Sequence, residues 1–309
     1  METKYTTENS EKTIPVFFAE SFLTAVIAAK EAGDAILEIY GSDFEIKFKD
    51  NNSPLTLADE KSHAIIMANL QSSKKTAEFP VLSEEGRDIP FTERKNWEYF
   101  WLVDPLDGTK EFIKRNGEFT VNIALIKRNT PVMGVVYAPA KNLFYFALKG
   151  FGAFKLNNIE TLNRLETDHF SGNALAILAM IADNSAKMPL YNPSTDSASS
   201  KLTIVGSRSH ATSEIEEFIE KMNKEYNEVN FISAGSSLKF CLIAEGVADI
   251  YPRFGPTMEW DTAAGQCIAE QSNCKVFAVE DKHSIIYNKE DLKNGSFICE
   301  RAPYSAEAH

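Results

Sequence analysis

Residues 99–103, Tyr-Phe-Trp-Leu-Val, run without a polar break into Asp104-Pro105-Leu106-Asp107-Gly108-Thr109-Lys110. Five successive aromatic, aliphatic and β-branched residues predict a strand buried on both faces, so its sheet needs cover on each side. Pro105 fixes φ and removes a hydrogen-bond donor, so the loop does not simply continue the strand. Asp104 and Asp107 can then turn to one side. Gly108 lets the backbone approach a ligand closely, and Thr109 can open a short helix whose free N–H groups suit an anion. Asp-Pro-x-Asp-Gly is also good turn chemistry on any surface. Its place beyond a buried strand favours a site, because α/β proteins bind ligands past the carboxyl ends of their strands.

Charge limits the partners. Asp and Glu number 44 against 32 Lys and Arg, a net charge of -12, which repels polymeric nucleic acid. A phosphorylated substrate would need bound cations and a few local basic groups. Cys241, Cys267, Cys274 and Cys299 form no C-x-x-C pair, and four cysteines among 309 residues are no disulfide framework. Residues 1–13 are polar and the apolar run 22–29 is broken by Lys30, so neither a secretory signal nor a membrane span is expected. The expected compartment is the cytoplasm, or a peripheral position on the cytoplasmic side of the inner membrane.

In the first half, Phe18, Phe22, Val26, Ala29, Ile36 and Tyr40 recur at helical spacing and predict a helix over 17–40, closed near Gly41. A second helix over 58–70 carries Ile65, Ile66 and Leu70. Asp59 stands at its start, and Thr56-x-x-Asp59 fits a capping box. His63, on the same helix, reads as a surface or packed histidine. The apolar run 79–82 stops at Ser83-Glu84-Glu85-Gly86, which is either a solvated turn or the source of a shared metal ligand. Strand-like runs at 119–127, 132–138, 143–149 and 153–156, joined by short turns, predict an antiparallel meander. The half reads as α+β.

Composition changes near residue 165, and the polar stretch 184–201 reads as a mobile surface loop. From 202 onward strands at 202–205, 229–232 and 248–251 alternate with helices at 212–226, 236–245 and 261–271, followed by strands near Lys275 and Ser284. That pattern is α/β, and it divides the chain into 1–165 and 166–309. Several site pieces appear here. His210 follows a strand; Gly235-Ser236-Ser237-Leu238-Lys239 opens a helix with hydroxyls and a cation that suit phosphate, or is a plain Gly-Ser cap; Arg253 could grip an anion bidentately. Asp261, at a helix start, reads by default as an N-cap.

Three motifs in order, Leu82-Ser83-Glu84-Glu85, Asp104-Pro105-Leu106-Asp107-Gly108-Thr109 and Trp260-Asp261-Thr262-Ala263-Ala264-Gly265, resemble the magnesium-dependent, lithium-sensitive phosphatases of inositol monophosphatase type. Lys110-Glu111-Phe112, where inositol phosphatases tend to carry Thr-Asn-Phe, is similar to the 3'(2'),5'-bisphosphate nucleotidase branch. The resemblance implies a layered αβαβα sandwich. It implies that Glu84, Asp104 and the Leu106 carbonyl hold one Mg²⁺, that Asp104, Asp107 and Asp261 hold a second, and that two or three ions bind per site. It also implies that Asp59, with Thr109 and Glu84, activates the attacking water. Gly108, Thr109, His210, Ser236, Lys239, Arg253 and Asp261 are implied to face the substrate, a small nucleotide bisphosphate taken by a monomer or homodimer. The implied reaction removes the 3'-phosphate of adenosine 3',5'-bisphosphate, with the 5'-sulfated relative as a further substrate. An inositol or sugar monophosphatase and a non-catalytic metal- or nucleotide-binding module are the alternatives.

Overall fold

A computed structural model describes residues 5–7, 10–12, 16–41, 46–48, 54–72, 77–163, 174–191, 201–207 and 213–301. Its main elements, leaving aside short two-stranded ladders and single turns, are in chain order first the helices α1 (Val16–Tyr40) and α2 (Leu57–Ser72). Strand β1 (Val81–Ser83), strand β2 (Tyr99–Asp107) and the short helix α3 (Thr109–Ile113) follow. Next are β3 (Thr120–Lys127), β4 (Thr130–Ala138), β5 (Leu143–Leu148) and β6 (Gly152–Leu156), then α4 (Ala174–Asp183) and β7 (Ser185–Lys187). The remainder is β8 (Lys201–Gly206), α5 (Ser213–Glu225), β9 (Glu228–Ser233), α6 (Leu238–Glu245), β10 (Ile250–Arg253), α7 (Glu259–Glu270), β11 (Cys274–Ala278) and β12 (Phe297–Arg301).

Strands β7 to β1 form one seven-stranded sheet in reverse chain order, antiparallel except for the parallel pair β1–β2. The meander expected from the short turns is therefore present. The strands from β8 onward form a five-stranded sheet in the order β9-β8-β10-β12-β11. Here β8 runs parallel to both neighbours, while β12 is antiparallel to β10 and β11.

Side-chain alternation sorts the core into three layers. Trp101 and Val103 of β2, with Val121, Ile123 and Leu125 of β3, join Phe22, Val26 and Ile36 of α1 in one cluster. Phe100, Leu102, Ala124 and Ile126 point the other way and meet α6 and α7 through Phe240, Ala264 and Cys267. On the small sheet Val205, Tyr251 and Cys299 face this same middle layer, whereas Leu202, Ile204 and Ile298 face α5 through Met222 and Phe218. The order is helices, large sheet, helices, small sheet, helix, the layered sandwich the motifs implied. Close packing in the middle needs small residues. A side chain at Gly134 of β4 would place its Cβ 2.4 Å from the Ala264 carbonyl, and one at Gly265 would meet the Phe240 ring at 2.4 Å.

Four local expectations are corrected. Proline does not end β2: the strand runs on to Asp107 through a register shift, because Asp104 pairs with Asn122 while Asp107 pairs with Thr120. Residues 185–187 lie in the stretch read as a loop but pair with β6, since Ser185, Ala186 and Lys187 extend the sheet edge through backbone bonds that need no apolar pattern; residues 192–200 lie outside the described residues. Near Ser284 there is a single bridge to Phe277, and the last long strand is β12. Helix α6 begins at Leu238 rather than Ser236, because Ser236 is left-handed with φ 50°.

The segment 287–294 straps the start of α7. Glu259, fully buried, accepts hydrogen bonds from Asn288 N (2.7 Å) and Lys289 N (3.0 Å) and pairs with Lys289 Nζ at 2.7 Å. Buried Arg94 donates to Asn288 Oδ1 (2.8 Å), Lys289 O (2.6 Å) and Glu290 O (3.0 Å). These contacts fix the first turn of the helix that carries Asp261. Among the described residues no helix is long and apolar enough to cross a membrane.

Candidate active site

Backbone pairing brings two of the acids together. The parallel register sets Ser83 opposite Val103, and Glu84 N donates to Val103 O at 3.1 Å, so Glu84 leaves the sheet beside Asp104. In a regular strand Asp104 and Asp107, three apart, would face opposite sides. The extra residue between the pairs Asp104–Asn122 and Asp107–Thr120 is a bulge, and it turns Asp107 back toward Asp104. The third acid arrives from the other half of the chain. Asp261 stands at the third position of α7, where its Oδ2 accepts Met258 N at 2.8 Å; it is the acidic partner of a capping box, not the N-cap itself.

Ligand oxygens of Glu84, Asp104 and Asp261 lie within 4.8 Å of one another. Asp104 is 1% exposed, and burial lifts its carboxyl well above the usual carboxylate range, helped by the charges of Glu84, Asp107, Asp261 and Asp59. Burial likewise raises Asp261 strongly, with Asp107 adding to it and the Met258 N–H opposing it. Asp107 is raised by burial but relieved by Lys239 and by Asn122 Nδ2 at 3.4 Å. Asp59 is buried, close enough for its charge to be felt at Asp104. Asp104 Oδ1 accepts Leu106 N at 3.1 Å.

These carboxylates repel one another, and the ammonium of Lys239 that faces them is itself pushed down to about 8, first by burial and also by Arg253. An all-oxygen donor set, converging at roughly the 4 Å that separates opposite ligands of a small hard cation, fits Mg²⁺ and does not fit a soft metal.

The other expected residues are placed as follows. Gly108 has φ 93°, and a Cβ there would lie 2.2 Å from Ser236 Oγ, so only glycine fits. Thr109 is half-buried at the start of α3. Ser236 Oγ is 2.8 Å from both Asp107 O and Glu118 O, and Ser237 Oγ donates to Asp261 O at 2.8 Å. Neither hydroxyl caps α6; both tie the acid loops to the C-terminal half. A cavity of about 120 Å³ opens beside Asp107 and Asp261, lined also by Glu111, Ser207, Lys239, Tyr251 and Arg253. Lys239 Nζ donates to Ser236 O at 2.6 Å, and Arg253 Nε is buried with no hydrogen-bond partner. His210 lies outside the described residues, as does the Thr56 side chain on which a cap for Asp59 depended.

Several contributors had no motif to announce them. Asn122 is buried, holding Asp107 and donating to Ser237 Oγ at 3.0 Å. Its signal was a lone amide inside the apolar run 119–127. Glu118 receives Gly235 N at 2.9 Å and Glu111 lines the cavity, and nothing in the pattern set either apart from a solvated acid.

Known proteins resemble the chain along most of its length. The model of the inositol monophosphatase family matches residues 19–309. The chain is 42% identical over 272 residues to the 3'(2'),5'-bisphosphate nucleotidase CysQ of Escherichia coli K12, covering 87% of this chain and 95% of that protein. It is 32% identical to the CysQ of Aggregatibacter actinomycetemcomitans, over 92% of this chain and 94% of the relative. The crystal structure of CysQ from Bacteroides thetaiotaomicron superposes with a TM-score of 0.79 at 44% identity, covering 93% of this chain and 99% of that one. Thermotoga maritima IMPase, at 17% identity and a TM-score of 0.66, shares the fold.

Proposed function

The chain belongs to the inositol monophosphatase family, and on that premise we propose that it is a 3'(2'),5'-bisphosphate nucleotidase, a phosphatase that hydrolyses the 3'-phosphate of adenosine 3',5'-bisphosphate to give AMP. The observation that carries the reading is the convergence of Glu84, Asp104 and Asp261 within 4.8 Å beside a cavity holding two cationic side chains. Glu84, Asp104 and the Leu106 carbonyl would hold one Mg²⁺, and Asp104, Asp107 and Asp261 a second. Ions held by these residues would supply the positive charge that favours ionisation of a water and balances negative charge on the phosphate and its leaving oxygen.

The protein's own groups do the rest. Asp59, with Thr109 and Glu84, orients the attacking water and takes its proton; burial favours such a base by keeping bulk water from competing. Gly108 lets the phosphate approach the backbone at the start of α3. Lys239 and Arg253 receive the second phosphate, since the metals serve only the one being cleaved, and the unpartnered Arg253 Nε leaves a donor ready for it.

The test is phosphate release from adenosine 3',5'-bisphosphate and from inositol 1-phosphate, side by side, with and without Mg²⁺. Mg²⁺-dependent release that prefers the bisphosphate supports the reading. Preference for inositol 1-phosphate would make the chain an inositol monophosphatase, and no release from either would leave only a binding module.

A further inference from the structure

We propose that Ser62, seconded by His63, is a positioning residue for the metal site, and that α2 acts as the template on which both acid loops are set. The inference rests on the metal-dependent reading above. Asp59, Ser62, His63 and Ile66 lie three or four residues apart and so share one stripe of α2. Asp59, Ser62 and Ile66 are buried, and this stripe faces the ends of β1 and β2.

Ser62 Oγ donates to Pro105 O at 2.7 Å, and neither residue's partner is replaceable by water in a buried contact. The next atoms along the chain matter. Pro105 O and Leu106 N belong to one peptide unit; its N–H is held by Asp104 Oδ1 at 3.1 Å and its carbonyl by Ser62. Held at both its N–H and its carbonyl, that planar unit is restrained from turning, and it orients the Asp104 carboxylate on one side and the Leu106 backbone on the other. Both are donors in the proposed metal site.

One turn face along, His63 Nδ1 lies 3.0 Å from Ser83 Oγ, at the residue before Glu84. The turn that follows is closed by Gly86 N donating to Ser83 O at 3.0 Å. Neighbouring side chains of a single rigid helix therefore hold the residue beside Glu84 and the peptide beside Asp104. Their spacing, added to the register of β1 on β2, sets the separation of the two carboxylates. Residues that orient metal ligands from behind typically change metal affinity by about 10–100-fold when removed.

The test reads metal binding apart from turnover. Mn²⁺ is titrated into the metal-free full chain by electron paramagnetic resonance, with thermal unfolding and circular dichroism recorded on the same samples. Ser62→Ala should weaken Mn²⁺ binding by about tenfold or more at a temperature where the variant is fully folded. His63→Ala should weaken it by a smaller factor, and His63→Gln, which keeps a side chain able to bond the Ser83 hydroxyl, should restore most of the loss. A folded Ser62→Ala that binds Mn²⁺ within twofold of wild type overturns the inference. Should Ser62→Ala not fold, the His63 pair decides: equal Mn²⁺ affinity in wild type, His63→Ala and His63→Gln overturns it equally. Wild-type protein that binds no Mn²⁺ would defeat the metal-dependent reading itself, whereas normal binding and turnover in wild type with unaffected variants would defeat only the role given to α2.

Discussion

Ionising Asp104 carries a cost that its own surroundings impose. Its carboxyl is raised in the folded protein, so the folded state binds the proton more tightly than the unfolded chain does. Stability of the metal-free protein therefore falls as pH rises from the ordinary carboxylate range through the raised value, because ionising the cluster works against the fold. Asp104→Asn removes that charge. It should raise the Tm of the metal-free protein by about 2–4 °C, the size of a 1 kcal/mol gain in a large domain, and abolish the further rise on adding Mg²⁺; calorimetry with and without chelator checks both. Asp107→Asn should leave the fold intact and lower kcat by at least about a hundredfold at saturating Mg²⁺, because an amide supplies no anionic ligand. Lys239→Ala or Arg253→Ala removes one charge-assisted contact, worth about 1.5–3 kcal/mol. KM for the bisphosphate should then rise on the order of tenfold to a hundredfold, while KM for a substrate with a single phosphate changes little.

At the scale of elements, the site depends on where α7 lies. The helix packs against Gly134 on the large sheet and is anchored at its first turn through Glu259, with 0% exposure, and Lys289. Lys289 is partly exposed, so losing this charge-assisted contact costs about 1.5–3 kcal/mol. Glu259→Gln should therefore lower the stability measured by urea unfolding by an amount in that range, and weaken Mg²⁺ activation as well, since Asp261 is two residues along the same turn. The bulge in β2 is the other device on which the site depends. It makes two aspartates three apart serve one side of a strand, which no regular strand permits.

Across the whole molecule, the first two acids come from the large sheet and the third from the helix between the sheets, so the cluster exists only when the layers are assembled. A cation that binds the folded chain alone stabilises it by about 2.7 kcal/mol at a hundred times its Kd. Millimolar Mg²⁺ should raise the unfolding temperature cooperatively for the chain as a whole, and chelator should reverse the rise; differential scanning calorimetry reads both.

The order of elements was legible because periodicity is written residue by residue: the two-sided apolar run at 99–103, the helical spacing of Phe22, Val26 and Ile36, and the alternation of strand and helix after residue 202. So were the acids of the three motifs, because their residue types and order are local facts. Tertiary structure alone decided the rest. Whether Asp261 meets Asp104 depends on packing across two sheets; the tie that Ser236 makes between Asp107 and Glu118 depends on a left-handed backbone at φ 50°; and the pairing of Ser62 with Pro105 joins residues 43 apart. A hydrogen bond's partner is fixed by distance and angle in the folded chain, and a sequence carries neither.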